Sequence, residues 1–127
     1  MKITSFNPLI ITKDADATVR LFEELGFARR HQPAGTSGVG NEYQSYRMKD
    51  SNGFYVDIVQ TSGHTGQDRT EIRMNVENYD EAYKFLTDRG FKSVTSDNAT
   101  DTGSAKADSL ISPSGFAISI IEHIKEG

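Results

Sequence analysis

The sequence predicts an α+β fold built from two β-α-β-β-β modules, in which each helix covers one face of a mixed sheet and leaves the other face free. Two repeats support this prediction. Residues 16–26 and 80–90, which lie 64 positions apart, each show an acidic first turn, a glycine stop and a phenylalanine directly afterwards. Residues 49–59 and 111–121 share a second pattern at an offset of 62. A period near 60 that occurs twice is too long for a solenoid, so it indicates a duplicated supersecondary module.

The first module begins with a predicted strand over residues 3–12, in which Pro8 requires an edge, a bulge or a pocket mouth. Asp14 or Asp16 can cap the first helix. Its expected buried stripe, at a spacing of three, consists of Val19, Phe22 and Leu25.

The rest of this module is predicted as three strands and one loop. A strand near 27–33 precedes a mobile, glycine-rich loop over 34–41, which is either a ligand lid or a plain connection. Strands over 42–49 and 54–60 then flank a hairpin turn at 50–53.

The second module follows a polar linker at residues 61–69, which gives predicted module bounds of 1–61 and 69–127 within a single domain. Residues 70–76 alternate as a strand, and 78–81 have the spacing of a capping box. The second helix is expected to bury Tyr79, Ala82, Phe85 and Leu86. A strand near 91–95, a polar stretch over 96–104 and a hairpin of strands 106–111 and 116–122 complete the chain.

Composition excludes several classes of function. The net charge of −4 provides no basic surface for nucleic acid or an anionic membrane. No apolar run approaches the roughly 20 residues that span a bilayer. The absence of cysteine excludes disulfides, a thiolate nucleophile and sulfur-ligated zinc. A cytoplasmic location is the default prediction.

The duplicated layout, with Asp-x-x-x-x-Leu/Phe-x-x-x-x-Gly-Phe in each half and Ser-Pro-Ser-Gly-Phe-Ala-Ile-Ser at 112–119, resembles the vicinal oxygen chelate superfamily. This superfamily includes glyoxalase I, the bleomycin-resistance proteins and the extradiol dioxygenases. The resemblance implies curled mixed sheets with the helices on their outer face. It does not select an activity, because the fold hosts isomerases, lyases, transferases, dioxygenases and non-catalytic binders.

The resemblance also implies four ligand positions where a member binds a metal. They fall here on Asn7, Asp57, Glu71 and Ser119, where typical members have His or Gln, Glu, His and Glu. This chain departs from the pattern at every position and has no imidazole among the four. We therefore expect no cofactor. The alternative is a divalent cation such as Mg²⁺, Mn²⁺ or Ca²⁺ on the oxygens of Asp57 and Glu71.

Other residues offer no clear replacement for the missing imidazoles. His31, His64 and His123 are expected before the loop, in the linker and after the last strand, as exposed polar residues. Asp57 can instead form a salt bridge with Arg73 or Arg47 across the sheet, without a metal.

The free sheet face is expected to form a pocket of mixed character. One of Tyr43 and Tyr46, on the neighbouring strand, should face inward. The alternatives are a solvated strand face, or an aromatic surface packed on a partner subunit. By alternation this face carries Leu9 and Ile11; Tyr55, Asp57 and Val59; Glu71, Arg73 and Asn75; and Ala117, Ser119 and Ile121.

The leading functional hypothesis is a metal-independent small-molecule-binding protein of the bleomycin-resistance kind. A planar or cationic ligand would lie in a cleft between the modules of a homodimer. Its expected ligand-binding residues are Asn7, Tyr43, Tyr55, Asp57, Arg73, Asn75 and Ser119. The alternative is a lyase, isomerase or dioxygenase of the glyoxalase type, in which a divalent ion polarises the substrate and Glu71 moves a proton. A third possibility is a closed pocket that leaves only an interaction surface.

Overall fold

The computed structural model describes residues 1–30, 34–37, 41–61, 66–95, 100–101 and 105–123. The chain divides into two compact units: residues 7–70, called here the N-terminal unit, and residues 1–6 with 71–127, called the C-terminal unit. The duplicated β-α-β-β-β layout and the α+β class are confirmed. In chain order the elements are β1 (Ile3–Ile11), α1 (Ala15–Glu24), β2 (Ala28–Arg29), β3 (Ala34–Ser37), β4 (Asn41–Lys49), β5 (Tyr55–Thr61), β6 (Arg69–Val76), α2 (Tyr79–Thr87), β7 (Lys92–Ser93), β8 (Thr100–Asp101), β9 (Ala105–Ile111) and β10 (Ala117–His123).

The N-terminal unit has a mixed sheet. β1 runs parallel to β5, with Leu9 opposite Asp57, and β5 runs antiparallel to β4. β2 and β3 both pair with β4 in the antiparallel sense. Helix α1 packs on the side of the sheet that carries Tyr46, Met48, Val56 and Ile58.

The prediction of a loop over residues 34–41 is wrong for its first half. Residues 34–37 form strand β3, which pairs with β4 so that Ala34 lies opposite Gln44. Main-chain hydrogen bonds hold a short edge strand without large apolar side chains, so the composition of this segment hid it. Residues 38–40 lie outside the described part of the chain.

The C-terminal unit repeats this arrangement. β6 runs parallel to β10, with Arg73 opposite Ser119, and β10 runs antiparallel to β9. β7 and β8 pair with β9. Helix α2 packs on a cluster that includes Met74, Val76, Leu110 and Ile120. The first six residues belong to this unit, where the Glu77 amide donates to the Lys2 carbonyl at 3.0 Å.

Helix α1 begins as one of the two predicted caps requires. The Asp14 carboxylate accepts from the Ala17 amide at 3.0 Å, and Asp16 lies in the first turn instead. The predicted stripe is correct for Val19 but wrong for Leu25, which is 63% exposed. Leu25 still has helical φ and ψ, but a constant spacing of three drifts by about 60° per step around a helix, so Leu25 lies about 120° away from Val19.

Helix α2 begins at the predicted capping residue. The Asn78 side chain accepts from the Glu81 amide at 3.0 Å. Tyr79, Ala82 and Leu86 are buried as expected, but Phe85 is 40% exposed. The Arg89 Cζ atom lies 3.6 Å from the centroid of the Phe85 ring, so the guanidinium covers this ring on the outer side of the helix.

The glycine stops of the two helices explain the first repeat. Gly26 and Gly90 have φ values of +105° and +90°, a conformation that disfavours residues with a Cβ. The phenylalanine after each glycine donates its amide back to the helix, Phe27 to Phe22 at 2.9 Å and Phe91 to Leu86 at 3.2 Å. Each helix therefore ends with a closed last turn, as the repeat predicts.

No described helix is long and apolar enough to cross a membrane.

Candidate functional site

In each unit, the sheet face turned away from the helix carries buried polar side chains. Since neighbouring residues of a strand point to opposite faces, the core residues on the helix side place Asp57 on the other face of the N-terminal sheet. Glu71 and Ser119 hold the corresponding face of the C-terminal sheet. Asp57 is 5% exposed and Glu71 is 3% exposed. A buried carboxylate is costly unless hydrogen bonds or charges compensate it, so the partners of these two acids define the site.

Asp57 is the centre of a cluster in the N-terminal unit. Arg47 Nη1 lies 3.0 Å from both carboxylate oxygens of Asp57. Asn7 Nδ2 donates to Asp57 Oδ2 at 2.9 Å and also lies 2.9 Å from the Pro8 carbonyl oxygen. The three side chains come from β1, β4 and β5 and are called here the Asn7–Arg47–Asp57 cluster. The predicted salt bridge from Asp57 to Arg47 is the one observed.

A tyrosine extends this cluster toward the end of the hairpin. The Arg47 Cζ atom lies 4.1 Å from the Tyr55 ring centroid, and the Lys49 Nζ atom lies 5.3 Å from the same centroid. Both distances allow a cation–π contact. The Arg47 side chain keeps 28% of its surface exposed.

The salt bridge changes the charge argument for the ligand. The hypothesis of a cationic ligand is favoured by the negative charge of Asp57 only if that charge has no partner in the protein. Arg47 neutralises that charge at 3.0 Å, and Lys49 adds a further positive charge on the same face. These three described groups together carry a charge of +1, so they give no electrostatic preference for a cation.

The polar face of the C-terminal unit is arranged around Glu71. The Ser109 hydroxyl donates to Glu71 Oε1 at 2.6 Å. Arg73 and Asn75 follow Glu71 at alternate positions of β6, where Arg73 lies opposite Ser119 and Asn75 opposite Ile121. The Asn75 Oδ1 atom is buried and accepts no hydrogen bond from any described residue.

The remaining predicted residues have different outcomes. The Tyr43 backbone pairs with Thr61, but its side chain lies outside the described part of the chain. Tyr46 is in the core under α1, so it does not face inward on the free side. His31 and His64 lie outside the described residues. His123 is exposed and is the last residue of β10. The predicted strand ends one position earlier, at residue 122.

The described donor groups do not fit a catalytic divalent cation. A cation at Asp57 would face the Arg47 guanidinium, 3.0 Å from both oxygens, and the Asn7 amide nitrogen rather than its oxygen. In the C-terminal unit Glu71 brings one carboxylate with a serine hydroxyl. Among the described residues, no group of three or more His, Asp or Glu side chains could hold a metal ion.

Two residues were missed by the sequence interpretation. Lys49 lies on β4, where only Tyr43 was assigned as a ligand-binding residue, and Ser109 lies on β9, where none was assigned. The offset of 62 provides a signal, since Ser109 occupies the position equivalent to Arg47. Applied to β4 and β9, the repeat points to Ser109 alone, and Lys49 is indicated by strand alternation instead, because it lies two positions after Arg47.

Comparison with known proteins supports the fold. No protein-family model and no curated protein matches the sequence. The chain is similar to the solved structure of a methylmalonyl-CoA epimerase from Mycobacterium tuberculosis, with a TM-score of 0.69 and 12% identity over 97% of this chain and 90% of that chain. A methylmalonyl-CoA epimerase in complex with methylmalonyl-CoA and NH4+ gives a TM-score of 0.65 and 15% identity over 96% of both chains. A protein from Staphylococcus aureus gives 0.66 and 12% identity over 98% of this chain and 100% of that chain.

Such low identities establish the fold and no activity. The epimerases among these structures are members of the vicinal oxygen chelate superfamily. Their similarity extends over nearly the whole of this chain, and the duplicated layout is present in both of its units. The chain therefore has the vicinal oxygen chelate fold of the glyoxalase-like proteins.

Proposed function

We propose that this protein binds a small organic molecule on the polar sheet faces of its units, without a metal ion, in the manner of the bleomycin-resistance proteins. The observation that carries the proposal is the burial of Asn7, Asp57, Glu71 and Ser119 on the faces that the helices do not cover. A face with only a structural role needs no buried acids, because burying each ion costs several kcal/mol before compensation, by an order-of-magnitude estimate.

The geometry favours a prearranged polar site. Asp57 is fixed by Arg47 and Asn7, and Glu71 is fixed by Ser109, so neither acid has to reorient when a ligand arrives. The buried Oδ1 of Asn75 would gain a hydrogen bond from a ligand donor, which would offset the cost of its burial. Fixed polar groups that converge beside apolar and aromatic side chains are typical of a small-molecule site.

A ligand screen with matched variants tests the binding function. Thermal-shift measurements on the full chain against metabolites, drugs and acyl-CoA thioesters should identify stabilising compounds. For such a compound, Asn75→Ala is expected to weaken binding about tenfold, the effect of one lost hydrogen bond in a buried site. Ser51→Ala, in the exposed turn between β4 and β5, should leave the affinity unchanged. Stabilisation by no compound of any charge class would refute the binding function.

A second candidate is an epimerase or related isomerase, and the similar epimerase structures favour it. In this reaction Glu71 accepts the proton on the carbon beside a thioester carbonyl while the electron pair moves to the carbonyl oxygen. A proton delivered to the opposite face of that carbon by water then yields the other epimer, while Glu71 releases its proton to solvent. Arg73, on the same strand and face as Glu71, would provide positive charge for the developing oxyanion.

Hydrogen exchange distinguishes the two candidates. Incubation of the protein with methylmalonyl-CoA in heavy water should introduce deuterium at the epimerised carbon, detected by mass spectrometry, only if the isomerase hypothesis is correct. Glu71→Gln keeps the size of the side chain, and under the isomerase hypothesis it should reduce the exchange at least about 100-fold. Under the binding hypothesis the Glu71→Gln protein should still bind its ligand. Exchange that is equal in Glu71→Gln and the unchanged protein would exclude Glu71 as the base.

Assembly as a homodimer and a cytoplasmic location form part of the same proposal. Edge strands such as β3 and β7 leave main-chain groups available for pairing with another chain, and duplication alone does not cover them. The absence of cysteine agrees with a reducing compartment. Light scattering that shows only a 14.0 kDa particle at micromolar concentration would argue against the dimer.

A further inference from the structure

We propose that Arg47, Lys49 and Tyr55 form a subsite for an oxyanion, a carboxylate or phosphate group of the bound molecule. This inference rests on the proposed binding function and specifies the chemical class of the ligand. The three residues belong to β4 and β5 of the N-terminal unit and adjoin Asp57 on its polar face. They are called here the oxyanion subsite.

The geometry brings two cations to one aromatic ring. Lys49 lies directly opposite Tyr55 in the antiparallel ladder, and Arg47 is two positions before Lys49 on the same face of β4. The Tyr55 centroid is 4.1 Å from Arg47 Cζ and 5.3 Å from Lys49 Nζ. Both cations can then contact one oxyanion while the ring limits their side-chain motion.

The charges leave an excess that an anion would balance. Asp57 pairs with Arg47, and no carboxylate of the described residues forms an ion pair with Lys49. The pair and Lys49 together therefore carry a charge of +1 in a chain whose net charge is −4. Arg47 and Lys49 carry the same charge and repel each other, and a bound oxyanion would add an attraction to each of them.

The other unit shows that this arrangement is not a requirement of the fold. At the equivalent positions, 62 residues later, the chain has Ser109, Ile111 and Ala117, with neither cation nor aromatic ring. The strand pairing is nevertheless the same, because Ile111 lies opposite Ala117 as Lys49 lies opposite Tyr55. The pleat is therefore maintained without these side chains, and their presence in one unit requires another explanation.

Titrations with simple anions test the subsite directly. Inorganic phosphate and succinate, each added to the ¹⁵N-labelled full chain at low ionic strength, should shift the amide signals of β4 and β5. Lys49→Gln should weaken both affinities about fivefold, the effect of one unit charge at about 4 Å in water-like surroundings. Lys92→Gln removes one exposed charge from β7 of the other unit and should leave both affinities unchanged. Tyr55→Leu, which keeps both charges, should weaken binding as well if the ring positions the cations.

The outcomes separate this inference from the binding function. Equal affinities in Lys49→Gln and Lys92→Gln, or no site-specific shifts with either anion, would overturn the subsite even if an organic ligand is found. Weakening in Lys49→Gln alone would support it even if the ligand screen finds nothing. The tighter of phosphate and succinate then identifies the oxyanion, and succinamide, which has succinate's carbon chain without its charge, should not bind there.

Discussion

The two units share one layout but place their buried charge differently. In the N-terminal unit the acid, Asp57, is on β5, and Arg47 on β4 neutralises its charge. In the C-terminal unit the acid, Glu71, is on β6, and the Ser109 hydroxyl on β9 donates to it. The duplicated fold therefore fixes where polar groups can meet, and the residues at those positions decide whether the equivalent strand brings an arginine or a serine to the acid.

The difference extends into the two cores. Ala15, Val19 and Tyr46 pack in the N-terminal core, and their equivalents in the C-terminal unit are Tyr79, Tyr83 and Asp108. The aromatic volume has moved from the sheet to the helix. Asp108 is buried, and it accepts hydrogen bonds from Ser93 at 2.5 Å and Thr95 at 3.1 Å. Such exchanges conserve packing while they change polarity.

Removing Arg47 on β4 or Ser109 on β9, the partners of the two acids, should produce the largest difference in stability loss between the units. Arg47→Ala leaves Asp57 buried without its counter-charge and should lower the free energy of unfolding by about 3 kcal/mol, at the low end for a buried pair. Ser109→Ala removes one hydrogen bond to Glu71 and should cost about 1.5 kcal/mol. Urea unfolding of the single variants measures both values.

A double variant provides the control for that contrast. Arg47→Met with Asp57→Leu removes both charges together, so it should recover most of the stability lost in Arg47→Ala. Equal losses in Arg47→Ala and Ser109→Ala would show that the ion pair has no special weight. The two units would then differ in sequence at these positions but not in the stability that the contacts contribute.

The fold could be predicted because each repeat has a local physical cause. Gly26 and Gly90 end their helices with positive φ, and Asp14 and Asn78 cap them, so short segments were sufficient to locate both modules. The failure at residues 34–37 has the opposite cause. β3 is held by main-chain pairing with β4, which leaves little trace in its side chains.

The positions of the candidate site residues in the fold could be predicted from the sequence, but their hydrogen-bond and ion-pair partners could not. The four positions that the resemblance implies, Asn7, Asp57, Glu71 and Ser119, are all buried, and their role in binding stays a prediction. Their partners depend on strand register, which brings Arg47 opposite Asp57 and Ser109 opposite Ser119. Sequence alone left Asp57 with two possible arginines, since register is set by contacts between distant segments.

The caps of the two helices offer a smaller contrast. In each unit a side chain of the last strand accepts a hydrogen bond from the amide of the first helical residue. Gln60 accepts from the Ala15 amide at 2.7 Å, and Glu122 accepts from the Tyr79 amide at 2.6 Å. A charged acceptor forms roughly twice as strong a bond and also interacts favourably with the helix N-terminus.

Substitution at these two positions should therefore give unequal losses. Glu122→Ala is expected to cost about 2 kcal/mol and Gln60→Ala about 1 kcal/mol in urea unfolding. Glu122→Gln makes the two caps chemically alike, so its loss should be about half that of Glu122→Ala. If Glu122→Gln is as unstable as Glu122→Ala, the negative charge of Glu122, and not the hydrogen bond alone, accounts for the stabilisation by this cap.

The smallest expected effect concerns an ion pair that only the C-terminal unit has. The Met1 ammonium group lies 2.8 Å from Glu81 in the first turn of α2, whereas the equivalent residue of α1 is Ala17. The hydrogen bond to Glu81, followed by its negative charge, raises the pKa of the Met1 ammonium above its usual value. The folded state then holds the proton more tightly than the unfolded state. The resulting stabilisation is complete below the unfolded pKa of about 8 and is lost as the pH rises through the higher folded pKa. Urea midpoints measured across this range should fall more steeply for the unchanged chain than for Glu81→Gln, in which the ammonium group has lost its carboxylate. Parallel pH profiles for the two proteins would show that the contact contributes nothing in solution.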